Sequence, residues 1–411
     1  MAESGTAGSA EVTVIIDRLA AGGDGVGRLP DGKVIFVPRT APGDRARVTV
    51  VAVKPRFARG RLVGLECASE LRTTPPCRHY DADECGACQL QHITYDAQLM
   101  TKGRFIADAL KRIGGRCATP PIVEPSPRRL GYRNKVTLAM GPEGTLGFRR
   151  HSRPAEVFAV KECPVLESDL EDLTVGVVAA ASHLPTDTET VLLRRDGGVS
   201  LVSVGTGDNA WHAGDLARQL DAPGLTVARF DGAGLRVLEG DGQSEALGSF
   251  RQANAEVADR IRRLSVALLP DVDGRVVWDL FCGLGDTCAL LAGRGARVTG
   301  VDSDAGAIAY AAGVVPEARF VVGPAEDVSP NLARPQHVIA NPPRRGLAAA
   351  LAELLGARLK ESGGTLVYVS CDASTLARDL RRMPDLDLVG LHAFDMFPQT
   401  SHVETIAVLA P

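Results

Sequence analysis

Arg275-Val-Val-Trp-Asp-Leu-Phe-Cys-Gly-Leu-Gly-Asp286, running on into Thr287-Cys-Ala-Leu-Leu-Ala292, is the stretch from which the architecture can be read. It reads as an apolar strand (Arg275–Leu280), a tight glycine turn (Cys282–Asp286) and the start of a helix. Glycines in such a turn let the backbone approach a ligand. An acidic residue about 20 positions on can hold ribose hydroxyls. Asp302, closing Val298-Thr-Gly-Val-Asp302, has that place. The turn has one Gly-x-Gly instead of the full G-x-G-x-x-G, and Asp279 lies near the end of the first strand. That combination favours S-adenosylmethionine (SAM) over a dinucleotide.

The same β–α alternation extends from Phe250 to the C-terminus. Strands are expected at Arg297–Asp302, Arg319–Val322, His337–Ala340, Thr365–Val369, Leu386–Asp395 and Val403–Ala410, with helical stretches between most of them. This predicts a mostly parallel, doubly wound Rossmann-like α/β sheet. Upstream, residues 11–66 alternate short strands with glycine turns, the pattern of a small OB-like β-barrel. Between the two lies a mixed α+β region, with a helix expected at Tyr95–Ile113 and another around Leu166–Ala181. The chain therefore reads as multidomain, with boundaries at 9–66, 67–245 and 246–411.

Bulk properties agree with several domains. The chain has 411 residues, of which 45 % are apolar, more than one core organises comfortably. No apolar run reaches the roughly 18 residues that span a bilayer, and Met1–Ala10 has no apolar signal region. No membrane partner is expected, the default location is cytoplasmic and the default state is a monomer. Net charge is −4, but residues 33–61 hold eight Lys or Arg against Asp44 alone, and residues 128–153 hold seven against Glu143 alone. One such run reads as a solvated face; two, both upstream of the α/β half, point to a polyanion.

Nine cysteines in a chain without a secretion signal argue for metal binding or catalysis over disulfides. Cys77-x7-Cys85-x2-Cys88, with Cys163 further on, offers four thiolates, which suit zinc and an iron–sulfur cluster equally by spacing. The plainer reading is a set of buried free thiols.

Cys371 ends the apolar run Thr365-Leu-Val-Tyr-Val-Ser370. Asn341-Pro-Pro-Arg-Arg-Gly346 precedes it and Ser401-His-Val-Glu404 comes after. A lone cysteine at a strand end is usually packing and a lone glutamate usually surface. Together with a methyl donor they suit one reaction. A thiolate adds to C6 of a uracil, C5 then attacks the methyl, and a base removes the C5 proton. A base inside folded RNA must be unstacked to reach such a pocket.

Several motifs support this as a set: Phe250-Arg-Gln-Ala-Asn254, Asp279-Leu-Phe-Cys-Gly-Leu-Gly285, Asn341-Pro-Pro-Arg-Arg-Gly346, Val369-Ser-Cys-Asp-Ala-Ser-Thr375 and Asp395-Met-Phe-Pro-Gln-Thr-Ser-His-Val-Glu404. In this order they resemble the SAM-dependent RNA uridine C5-methyltransferases, which act on ribosomal RNA or the T-loop of transfer RNA. Gly23-Asp-Gly-Val-Gly27, Val34-Ile-Phe-Val-Pro38 and Pro42-Gly-Asp44 resemble the TRAM domain, an RNA-binding barrel. The resemblance implies Cys371 as nucleophile and Glu404 as proton acceptor, with Gln252, Phe281, Asp302 and Asn341 at the SAM site. It implies a [4Fe–4S] cluster on Cys77, Cys85, Cys88 and Cys163, as in the ribosomal branch, and a structured RNA partner, ribosomal before transfer RNA. Departures are Asn341 where many members have an acid, the long first cysteine spacing, Pro324 where an Asp or Asn often reads adenine, and Asp286-Thr-Cys-Ala289. The alternatives are an amino-group methylase, which Asn341-Pro-Pro343 suggests but Arg344 in place of an aromatic disfavours, and a non-catalytic RNA-binding assembly factor.

Overall fold

A computed structural model describes residues 11–208, 210–231, 234–240 and 248–411. Residues 9–10 of the expected barrel, and the expected 245/246 boundary, lie outside the described residues.

Five strands, β1 (Glu11–Leu19), β2 (Gly25–Arg28), β3 (Val34–Val37), β4 (Arg45–Val53) and β5 (Phe57–Cys67), close a barrel in the order β1-β2-β3-β5-β4. Val14, Ile16, Ile35, Val37 and Val48 fill it, every second residue pointing inward. Ala21–Gly27, one of the glycine turns expected between the barrel strands, is already strand from Gly25 onward. A Cβ on Gly25 would collide with Thr40, and one on Gly27 with Val14 and the Ile15 carbonyl. The glycines of β2 are there for close strand approach.

Buried polar contacts bolt the barrel to the central region. Arg72 grips the fully buried Asp44 (Nη2–Oδ2 2.7 Å), and the His92 ring meets the Thr40 carbonyl at 3.1 Å. Beyond the short helix α1 (Arg78–Ala82) comes α2 (Tyr95–Ala109), which ends in one π-helical turn at Leu110–Gly114.

Strand β6 (Val123–Glu124) pairs in parallel with a strand of the C-terminal sheet. The second sheet comes next, from β7 (Lys135–Met140), β8 (Leu146–Arg149), β9 (Val157–Phe158), β10 (Thr190–Asp196), β11 (Val199–Gly205), β12 (Leu225–Asp231) and β13 (Gly234–Glu239). Its order is β13-β12-β11-β10-β7-β8-β9. Helices α3 (Ser168–Ala179) and α4 (Gly214–Leu220) pack into its core through Leu170, Leu173, Val177 and Leu216. Helix α4 makes the crossover that a parallel β11–β12 pair requires.

The third sheet is built from α5 (Ala255–Ala267), β14 (Val276–Leu280), α6 (Asp286–Ala292), β15 (Arg297–Asp302), α7 (Ala305–Val314), β16 (Arg319–Val322), α8 (Ala325–Val328), β17 (His337–Ala340), α9 (Ala349–Ser362), β18 (Thr365–Ser370), α10 (Ala373–Arg381), β19 (Asp387–Phe394) and β20 (Glu404–Ala410). Its order is β16-β15-β14-β17-β18-β20-β19-β6, parallel except for antiparallel β20. The expected doubly wound sheet is present. Of residues 95–124, counted by sequence with the central unit, β6 joins this sheet and the C-terminal part of α2 packs into its core. Ile106, Leu110 and Val123 are buried in one cluster with Tyr368, Leu376 and Leu380. Among the described residues no helix is long and apolar enough to cross a membrane.

Candidate active site

The strand order reverses beside β14, and the open ends of β14, β15, β17 and β18 face one crevice, the usual ligand position in such sheets. Phe281, the residue after β14, has φ +64° and donates its N–H to Val301 O at 2.8 Å. This left-handed turn throws the chain across the sheet edge. Gly283 continues it at φ +52° with open space where a Cβ would stand, so the loop leaves room for a ligand. Gly285 differs: at φ +84° its Cβ would lie 2.9 Å from Ala311 Cβ, so α6 could not settle against α7. Asp302 holds the loop, accepting from Gly283 N through Oδ2 and from Asp304 N through Oδ1, both at 2.9 Å. Asp279 is buried and accepts from Cys288 Sγ (3.1 Å); burial pushes its carboxyl up to about 7.

A cavity of about 600 Å³ opens above this loop. Its walls include Gln252, Phe281, Asp302, Asn341, Cys371 and Glu404, so the six residues singled out in the sequence for catalysis and cofactor binding share one space. Pro324 and Glu326 line the same cavity near Asp302. A smaller hollow of about 170 Å³ borders the same Gln252, Phe281 and Glu404 and reaches under α5. Asn254 anchors that helix, its Oδ1 accepting from Val257 N at 3.3 Å.

Cys371 comes directly after β18 and is half-buried. Burial and the nearby Glu404 charge push its thiol up to about 11, against the pull of Arg344. Glu404 opens β20 and is 2 % exposed. Burial pushes its carboxyl up to about 8, again opposed by Arg344. Arg344, from the Asn-Pro-Pro-Arg-Arg-Gly turn, is thus the charge felt by both groups, a role the motif alone did not show. The central sheet adds Arg133 and Lys135 to the cavity wall, both from the second basic run. Burial, then Arg194 and Arg133, pushes Lys135 down to about 8. Its ammonium lies 4.3 Å from the ring centroid of Phe250, which is 69 % exposed.

The four cysteines of the sequence pattern are all buried and line one small enclosed pocket with Tyr80 and Phe148. Burial raises each thiol, Cys85 to about 12. Among the described residues, no group of three or more His, Cys, Asp or Glu side chains is already arranged around a metal position. Cys67 and Cys117 are exposed and apart from this set.

Two family models match. One, the TRAM domain, covers residues 9–63; the other, tRNA (uracil-5-)-methyltransferase, covers residues 327–410. An uncharacterized RNA methyltransferase of Protochlamydia amoebophila is 33 % identical over 96 % of both chains. The 23S rRNA (uracil(1939)-C(5))-methyltransferase RlmD of Chromohalobacter salexigens is 32 % identical over 96 % of this chain and 88 % of its own. Among solved structures, the Pyrococcus abyssi tRNA (uracil-54, C5)-methyltransferase in complex with S-adenosyl-L-homocysteine matches with a TM-score of 0.73. It is 26 % identical, over 97 % of this chain and 100 % of that one. With an N-terminal TRAM barrel, a C-terminal SAM-methyltransferase sheet and relatives of this identity along nearly its whole length, the chain belongs to the RNA uracil-C5 methyltransferase family.

Proposed function

We propose that this chain transfers a methyl group from SAM to C5 of a uridine in 23S ribosomal RNA, through a covalent bond between Cys371 and C6. The observation that carries the reading is the meeting of Cys371, Glu404 and the β14–α6 glycine loop on one cavity. Bound SAM supplies an electrophilic methyl group. Asp302 would hold its ribose hydroxyls, and Gln252, Phe281 and Asn341, which line the same cavity, would wall the donor. With Pro324 at the usual position, adenine recognition would shift to a neighbour such as Glu326, which lines the same cavity.

Cys371 supplies the nucleophile. At about 11 its thiol is neutral near pH 7, so it sheds its proton to solvent before attack, and the Arg344 guanidinium favours the resulting thiolate. Addition to C6 pushes the ring electrons to C5, which takes the methyl. Glu404 then accepts the C5 proton, the C5=C6 bond re-forms, and the C6–S pair returns to Cys371. A carboxyl raised to about 8 is a strong proton acceptor once ionised. Arg133, Lys135, Arg344 and Arg345 ring the cavity and would meet RNA phosphates. Exposed Phe250 would stack on a turned-out base.

Cys77, Cys85, Cys88 and Cys163 would hold a [4Fe–4S] cluster. The donor set fits: four thiols with costly thiolate forms share a pocket, and an iron cluster's positive charge offsets that cost. Its chemistry there would be cross-linking, since methyl transfer moves no net electrons.

The test is to map 5-methyluridine by mass spectrometry in RNA from a strain lacking the gene, complemented with wild type or Cys371→Ala. The expected result is one lost 23S site that only wild type restores. Restoration by Cys371→Ala would sink the covalent route. Loss confined to transfer RNA would establish the second reading, a transfer-RNA uridine methyltransferase, which the full-length match to the Pyrococcus enzyme favours. The non-catalytic alternative predicts no missing methyl group at all.

A further inference from the structure

Nine residues, 395–403, join β19 to β20 and lead directly into Glu404. Four consecutive carbonyls of this strap each accept from a group outside it. Asn254 Nδ2 donates to Met396 O (3.2 Å), Lys102 Nζ to Phe397 O (3.1 Å) and Tyr132 Oη to Pro398 O (3.0 Å). Gln399 O takes both backbone N–H groups of Gln89 and Leu90, at 3.1 and 2.9 Å, immediately after Cys88. Gln399 is also gripped from α2. Gln98 Nε2 donates to Gln399 Oε1, and Gln98 Oε1 accepts from Gln399 N, both at 3.0 Å.

Gln399 has φ +70°, where glycine is the unstrained residue. A glutamine there makes physical sense if its side chain is a handle. The strap leads into the strand that carries Glu404. Glu404 is the first β20 residue, paired with Phe394 at the mouth of the hairpin. Among the described residues its carboxyl has no hydrogen-bond partner, so its direction depends on the backbone that delivers it.

We infer that Gln98 and Gln399 are positioning residues for proton removal at C5: their amide clamp fixes the strap that aims Glu404. The inference rests on the proposed function. After methyl transfer, the C5–H electron pair must form C5=C6, the C6–S pair must return to Cys371 Sγ, and the proton must pass to the Glu404 carboxylate. A loosened strap leaves the earlier steps intact and stalls this one. The mark of positioning is therefore a trapped adduct, which a general loss of stability does not produce.

The experiment uses the full chain carrying Gln98→Met, which fills the volume without the amide. A second variant, Gln399→Gly, relaxes the left-handed backbone while removing the amide handle, and Glu404→Gln is the reference. Each is incubated with methyl-labelled SAM and a 23S rRNA transcript, and released methylated RNA is then separated from SDS-resistant protein–RNA adduct. SAM affinity and thermal midpoint are measured alongside. Both clamp variants are expected to keep SAM affinity, accumulate methylated adduct and release product roughly tenfold more slowly, a fraction of the loss typical for a missing base. Wild-type release without adduct overturns the inference. So does a parallel loss of SAM binding, stability and methyl transfer, the mark of a merely structural role. If Glu404→Gln traps an adduct and the clamp variants do not, the clamp fails while the proposed function stands. If neither wild type nor Glu404→Gln methylates any transcript, the proposed function itself has failed, and the clamp with it.

Discussion

Glu404 carries a proton burden that shows in stability as well as in rate. Its ordinary value is 4.5 and burial raises it to about 8. The folded protein therefore holds this proton more tightly than the unfolded chain. Between these values folding takes up a proton, so stability falls as pH rises through that window and levels off above it. Glu404→Gln keeps the shape and removes the titration. Urea unfolding at pH 6 and pH 9 should show the wild type losing stability that the variant retains, a difference of a few kcal/mol at the upper end. Equal losses in both proteins would mean that Glu404 is not held protonated. On the proposed mechanism, release of the methylated product moves the other way, since Glu404 must be ionised to accept the C5 proton. Cys371 and Glu404 were both legible in the sequence because each belongs to a motif. Their common electrostatic partner, Arg344, was not, because the charge it exerts on them depends on the fold bringing β17, β18 and β20 together.

The elements that hold the site are tied by a buried charge pair. Lys102 on α2 and Asp395 at the start of the strap meet at 2.5 Å with neither side chain exposed. Burial lowers the Lys102 pKa against the raising pull of Asp395. Lys102→Met would leave the buried Asp395 without its cation, at a cost of about 3–5 kcal/mol. Denaturant unfolding should show that loss; a change within about 0.5 kcal/mol, typical of a surface substitution, would refute it. The elements also separate what periodicity reveals from what it hides. Strands β14 to β18 were found by their apolar runs and the glycine turn by its composition. Strand β2 was missed because its glycines look like turn residues until the barrel wall beside them is known. The two-residue strand β6 and the joining of Gln98 to Gln399, 301 positions apart, leave no local pattern at all.

In the whole molecule the cysteine pocket lies between parts that must stay in register. Arg39, from the barrel, donates to Cys85 O at 3.1 Å and lies over the Tyr80 ring at 3.9 Å. On the other side, Gln89 and Leu90 hold the strap of Glu404. A cluster on these four thiols would thus brace the barrel, the central sheet and the catalytic sheet at once. Protein purified without oxygen is expected to carry about four iron atoms and as many sulfides per chain. Cys88→Ser or removal of the iron should lower the thermal midpoint. Zinc at one per chain, or full stability without metal, would dismiss the cluster.

Helix α2 and strand β6 finish a sheet whose other strands come much later in the chain. During synthesis, Ile106, Leu110 and Val123 emerge tens of seconds before Tyr368, Leu376 and Leu380 exist to cover them. The nascent polypeptide must therefore wait with an oily surface uncovered, and its yield in a cell will depend on what shields that surface until the last strands arrive.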